Sequence, residues 1–253
     1  MLENMQDNAA VGERKAAKVR KARAAEARRA PSAASAHSEQ SQARRRGGSV
    51  SADLSRFDYT PSAGVSREVN AGFAGVLSGS GQSARAQATA RALSATLSRH
   101  PRFRSLLAAQ LGGRHEMILA GLESGVLQKR FSERLEKFGY SATNAIDVNN
   151  AYLLHAWSIV NDAKVDGSAY AAQRSKSAAA LSAGRGTAAT SGAEKQEFSE
   201  TMGLLLMLSA AAWNRTADPA DRAALQAGSA DMAQRLGMDL RGATLTRDGI
   251  TSR

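Results

Sequence analysis

Residues 144–164 read NAIDVNNAYLLHAWSIVNDAK, and the fold turns on this stretch. With Asn144 or Thr143 as cap, it predicts a helix from Ile146 to about Lys164 that carries Val148, Tyr152, Leu154, Trp157 and Ile159. Apolar residues almost encircle that helix, which is the pattern of a helix buried among others rather than lying on a surface. The same stretch is rich in polar residues: Asn144, Asp147, Asn149, Asn150, His155 and Asn161. Asparagine is a poor helix former because its side chain competes for backbone hydrogen bonds, so two adjacent copies imply a bonding role. One reading is that buried asparagines fix neighbouring loops and helix ends. The other is a polar pocket formed by Asn150, Tyr152 and His155, the candidate binding residues.

Outward from this helix the pattern stays helical. On the N-terminal side, Val126, Leu127, Phe131, Leu135 and Phe138 fall on one side of a segment whose other side holds Lys129, Arg130, Glu133, Arg134 and Glu136, with Gly139 as its natural stop. Earlier still, Ala86, Ala90, Leu93 and Leu97 share a face of a helix over about 83–98 that must stop before Pro101. A short helix over 67–77 precedes the break Gly79-Ser80-Gly81, and Ser62 or Ser66 is placed to cap it. On the C-terminal side, an Ala/Ser-rich helix over 170–183 leads into a loop over 184–192. A strong helix over 193–214 follows, with Glu194 and Glu197 near its start, and then a helix over 219–236 stopped by Gly237. The final segment is turn-rich, with Leu240, Leu245 and Ile250 packing back on the bundle.

Composition agrees. The chain has 253 residues, few aromatics, 4 prolines and abundant alanine, so its core is of Leu, Ala, Val, Ile and Met, and strand-like alternation is nearly absent. The expected class is all-α, an irregular multi-helix bundle over 57–253 behind a disordered basic N-terminal tail over 1–56. The tail has no aromatic residue before Phe57 and too little apolar surface to offset its ordering entropy.

The formal charge of +11 sits in the N-terminal half. Residues 1–46 hold 11 Lys and Arg against 5 Asp and Glu, and residues 69–115 hold six arginines and no acid. Arg44, Arg45, Arg46, Arg85 and Arg91 are the candidate basic surface, able to meet a protein partner, an anionic polymer or an anionic surface. The tail lacks the interleaved aromatics on which single-stranded nucleic acid stacks.

Catalytic signatures are missing. With no cysteine, disulfides, thiolate metal sites and a cysteine nucleophile are excluded. Gly79-Ser80-Gly81-Gln82-Ser83-Ala84 matches a dinucleotide loop only in outline, since no acidic residue follows until Glu116. His115-Glu116 begins like a zinc-protease helix, but Leu119 stands where the second histidine belongs. No metal site and no cofactor are expected. The longest apolar run, Met202 to Trp213, is well short of the roughly 20 residues that cross a bilayer.

Phe57-Asp58-Tyr59-Thr60-Pro61-Ser62, the stretch from Phe138-Gly139-Tyr140 through Asn144 to Trp157, and the ending from Leu236-Gly237-Met238-Asp239-Leu240 to Asp248-Gly249 resemble a family of uncharacterised bacterial proteins known only as a domain of unknown function. The resemblance covers about Phe57 to Ile250. It implies a helical domain with no established activity, and members often exported behind a signal peptide. Here Met1 to Ala10 contains Glu3 and Asp7 and no apolar run, so the chain as written reads as cytoplasmic, or as periplasmic or secreted if translation starts upstream. The leading expectation is a non-enzymatic helical interaction domain or cell-envelope-associated protein. The alternatives are a nucleic-acid or anionic-surface binder using the basic half, and a small hydrolase using the Asn/His helix.

Overall fold

Each helix of the domain starts or stops where local chemistry dictates. The structure, a computed structural model, describes residues 53–79, 88–182 and 191–251. The tail, Arg44, Arg45, Arg46, Arg85, the loop residues 80–84 and most of the 184–192 loop lie outside the described residues. Among those residues the chain forms a short 3-10 helix (Leu54–Phe57) and nine α-helices. These are α1 (Ala63–Ser78), α2 (Ala88–Arg99), α3 (Pro101–Ala109), α4 (His115–Glu123), α5 (Val126–Glu136), α6 (Ala145–Val160), α7 (Gly167–Ser182), α8 (Gly192–Arg215) and α9 (Pro219–Arg235). The class is all-α, as expected.

Asn144 caps α6, its side-chain oxygen accepting the N–H groups of Ile146 and Asp147. Ser191 and Glu194 form a reciprocal capping box on α8. Gly139 ends α5 at φ +71°: its N–H bonds Glu136 O and that of Tyr140 bonds Leu135 O, the two bonds of a Schellman motif. Helix α6 ends in the same way with Asp162 at φ 45°, a left-handed position that asparagine and aspartate tolerate better than most residues.

The two central helices are α6 and α8, packed on each other. Helices α9 and α7 flank α6, while α1, α3 and α5 lie against α8. Tyr152, Leu154 and Ile159 from α6 and Met202, Leu204 and Leu205 from α8 are fully buried. Gly203 makes the contact between α8 and α5 possible, since a Cβ there would sit 2.8 Å from the Phe131 ring.

Four sequence expectations change. Helix α1 begins at Ala63 rather than near Arg67, and Ser62 stands at its cap position without a side-chain cap bond. The start of the domain lies ahead of Phe57, because Asp53 caps the 3-10 helix. Val126 and Phe138 are exposed instead of continuing the buried stripe of Phe131 and Leu135. Helix α5 ends at Glu136, so Phe138 falls in the turn and stacks on Tyr170 with ring centroids 3.9 Å apart. The turn-rich ending contains an antiparallel hairpin, β1 (Thr244–Thr246) with β2 (Gly249–Thr251). Ile250 is buried, and its N–H donates to Gln173 Oε1 of α7 at 2.9 Å.

Candidate ligand-binding site

The polar residues of α6 do not converge. Successive residues of a helix are turned by about 100°, so Asn150 and His155 point about 140° apart, to α7 and α8. Asn150 Oδ1 accepts the Ser177 hydroxyl of α7 at 2.7 Å. His155 Nε2 lies 3.2 Å from Ser209 Oγ of α8. The Ser209 hydroxyl already donates to Leu205 O at 2.7 Å, so His155 donates its Nε2 proton to the serine and is held in one neutral tautomer. Burial, reinforced by the Arg134 charge, pushes the histidine down to about 3. Tyr152 is fully buried and burial raises its phenol. Asp147, also fully buried, pairs with Arg174 Nε at 2.9 Å and accepts the Ser141 N–H at 2.9 Å. Asn144 and Asn161 reach backbone carbonyls of Leu54 and Leu240. These are ties between elements, whereas Asn150 Nδ2 and Tyr152 Oη have no hydrogen-bond partner among the described residues.

The arginines of 69–115 meet acids distant in sequence. Arg99 Nη1 lies 2.8 Å from Asp231, and Arg102 Nε lies 2.6 Å from Asp221 with Asp218 at 3.5 Å. Helix α9 thus supplies carboxylates to the acid-free stretch. Arg91 is exposed on α2.

A different set of polar groups gathers where α1, α5, α8 and the loops around Tyr59 and Ala142 meet, around a cavity of about 270 Å³. That is near the lower edge of the roughly 300–1,000 Å³ usual for small-molecule sites. Its walls are mainly apolar, with Pro61, Leu127, Phe131 and Leu204 among them. Gln196 braces the start of α8 beside it. Its amide accepts the Ser62 N–H at 2.8 Å and donates to Ser62 O at 2.9 Å, binding α8 to the start of α1. The same NH2 group donates to Glu200 Oε1 at 2.8 Å, and Ser66 Oγ donates to that oxygen at 2.7 Å. Glu200 Oε1 is therefore saturated. Glu200 Oε2, buried in the same place, has no hydrogen-bond partner among the described residues.

Gln128 repeats the arrangement on α5. Its NH2 group donates to Leu122 O at 3.2 Å and to Asn70 Oδ1 at 3.3 Å. Both partners are acceptors, which fixes the amide orientation and leaves Gln128 Oε1 as the second buried, unpartnered acceptor. Ser199, 1% exposed, lines the cavity beside the Tyr59 phenol, and its hydroxyl has no partner of hydrogen-bonding geometry. Tyr59 donates to Ala142 O at 3.0 Å. Burial above all pushes the phenol up to about 12, opposed by the adjacent Ser199 hydroxyl and reinforced by the Glu200 charge, so it is neutral at ordinary pH. Of the residues lining the cavity, Glu200 alone carries a formal charge.

Asn150, Tyr152 and His155 do not line this cavity. Its polar residues escaped the sequence reading because Gln196, Ser199 and Glu200 look like the solvated start of an otherwise apolar helix. The signal available was their spacing: Gln196 and Glu200 are four residues apart, with Ser199 one residue earlier, so all three lie near one face. No group of three or more His, Asp or Glu side chains suited to a metal ion occurs among the described residues. No helix among them is long and apolar enough to cross a membrane.

No protein-family model matches the chain, and neither a curated protein nor a solved structure matches it.

Proposed function

We propose that the domain is a non-enzymatic helical binding module whose working site is the cavity between α5 and α8. One observation carries this reading: an apolar-walled cavity is lined by Gln128 and Glu200, each of which has a buried oxygen that no donor among the described residues satisfies. A buried acceptor left without a donor costs about 1–3 kcal/mol, and such groups are uncommon in a folded core unless something else uses them. A hydrolase built on α6 has less support, since the His155 proton is fixed towards Ser209 of α8 while Asn150 is bonded to Ser177 of α7. Binding of nucleic acid by the arginines of 69–115 is likewise less favoured, because Arg99 and Arg102 are engaged by the carboxylates of α9.

The test is a thermal-shift screen of the full chain against a mixed library of small amines, alcohols, acids and amides. The variants Ala142→Phe and Thr143→Phe, which fill the cavity from its loop side, are screened in parallel. The expected outcome is a group of stabilising compounds whose effect disappears in both folded variants. Compounds that stabilise wild type and the filled variants equally would place binding elsewhere, and a library without any stabilising compound would remove the reading.

A further inference from the structure

We infer that the cavity takes an uncharged molecule with a compact apolar body of one or two rings. This rests on the cavity being a binding site and adds the class of what it binds. The polar side-chain atoms of the lining residues are either engaged or sealed. The Tyr59 hydroxyl donates to Ala142 O, and the Tyr59 N–H to Thr143 O at 3.0 Å. Thr143 Oγ1 lies 3.0 Å from Ser141 Oγ, which also accepts the Thr143 N–H at 3.2 Å. Ser66 Oγ donates to Glu200 Oε1, and the Gln128 NH2 group is taken up by Leu122 O and Asn70 Oδ1. Glu200 Oε2, Gln128 Oε1 and Ser199 Oγ remain, and all three are buried beneath the surface, where a molecule in the cavity does not touch them.

An unmet oxygen that faced a polar, roomy cavity would take a water as its partner. Here such atoms are kept off the cavity surface, at the stability cost they carry. The walls that a ligand meets are those of Pro61, Leu127, Phe131, Ala142 and Leu204. A charged group entering among them would lose its water and gain no partner, which is far more costly than burying carbon. An anion would in addition be repelled by Glu200, the one formal charge among the lining residues. Size narrows the class further. A volume of about 270 Å³ exceeds the roughly 150 Å³ of an apolar cavity that takes benzene, and it falls short of what a drug-sized molecule occupies. Phe131 packs on α8 only because residue 203 is glycine, where a Cβ would stand 2.8 Å from the ring. The cavity therefore has an aromatic wall, against which a second ring packs edge-on or offset.

The experiment is isothermal titration of the full chain at pH 7 with two uncharged probes, indole and 2-phenylethanol, and two charged ones of nearly the same shape, phenethylamine and phenylacetate. Each is titrated into wild type, Glu200→Gln, Ala142→Phe and Thr143→Phe, the last two checked for folding by circular dichroism. We expect both uncharged probes to bind wild type and both charged ones to bind at least about tenfold more weakly. The folded filled variants should lose the uncharged probes, and Glu200→Gln should bind 2-phenylethanol as wild type does, because the carboxylate is not touched. Phenethylamine or phenylacetate binding as tightly as the alcohol, or a tenfold loss of the alcohol in Glu200→Gln, would overturn the inference. If the charged probes bind and the filled variants abolish them, the cavity remains a binding site and only its preference for an uncharged ligand falls. Uncharged probes that bind both filled variants as well as wild type would show that the site is wrong too. Absence of binding by all four probes overturns the inference, and the cavity as a site then stands or falls with the library screen.

Discussion

Helices α6 and α8 lie side by side at the centre of the bundle, and both carry polar residues among apolar ones, but they use them differently. On α6 several polar atoms are tied to neighbouring elements, Asp147 to Arg174 and Ser141, Asn150 Oδ1 to Ser177 and His155 to Ser209, while Asn150 Nδ2 and Tyr152 Oη, which do not line the cavity, have no hydrogen-bond partner among the described residues. On the first half of α8, Gln196 is bonded to Ser62 while Glu200 Oε2 and Ser199 Oγ, on residues that line the cavity, have no well-formed hydrogen bond among the described residues. A satisfied buried group stabilises the arrangement that satisfies it. An unsatisfied one is a stability cost, and proteins commonly retain such costs where a site needs them.

That contrast can be broken most sharply at Asp147. Replacing it by alanine removes the partner of Arg174 and the acceptor of Ser141 N–H. Breaking a buried pair costs about 3–5 kcal/mol, less here because Arg174 is a third exposed and can regain water. We expect a loss of about 3 kcal/mol in urea unfolding. A loss under about 1 kcal/mol would mean that α6 is not held by this pair.

Next in size is a pH effect at His155. Its proton affinity is lowered on folding, from the ordinary 6.5 to about 3. The unfolded chain then binds a proton that the folded one refuses. Stability is undiminished above pH 6.5 and falls as pH drops from 6.5 towards 3, by at most about 1.4 kcal/mol per pH unit from this residue. In His155→Gln the fall between pH 6.5 and 4.5 should be shallower by that slope. Parallel curves for the two proteins would show that the imidazole is hydrated in the fold.

The smallest effect is expected on the other helix. Ser199→Ala removes a hydroxyl that makes no well-formed hydrogen bond and only adjoins the Tyr59 phenol, so stability should stay within about 0.5 kcal/mol of wild type or rise. A clear loss would reveal a bond that the geometry does not contain.

The helices were legible in the sequence because their signals are local. Asn144 and Gly139 mark a start and a stop within one turn, and the apolar encirclement of residues 144–164 placed α6 at the centre. The partners of the polar residues lie out of local reach: Asn150 Oδ1 bonds Ser177, 27 residues away, and His155 bonds Ser209, 54 residues away, each on another helix. The arginines of 69–115 looked like a free basic stretch for the same reason: Asp221 is 119 residues from Arg102. The C-terminal hairpin has strands of three residues, too short for an alternating pattern to emerge. The cavity was the least legible feature. Gln196, Ser199 and Glu200 become buried only because Ser62, Ser66 and the Tyr59 loop fold over them, a contact between residues about 130 positions apart.

The difference between the two helices is tested most directly by urea unfolding of Glu200→Gln at pH 7 beside wild type. Glutamine keeps an oxygen for the Ser66 and Gln196 donors and removes only the charge. If Glu200 serves the cavity rather than the fold, the variant without ligand is as stable as wild type or more stable, by up to about 1 kcal/mol, with the same denaturant dependence. A loss of about 2 kcal/mol or more would contradict this, making Glu200 a support of the fold like Asp147 and withdrawing one of the two unmet oxygens from the binding reading.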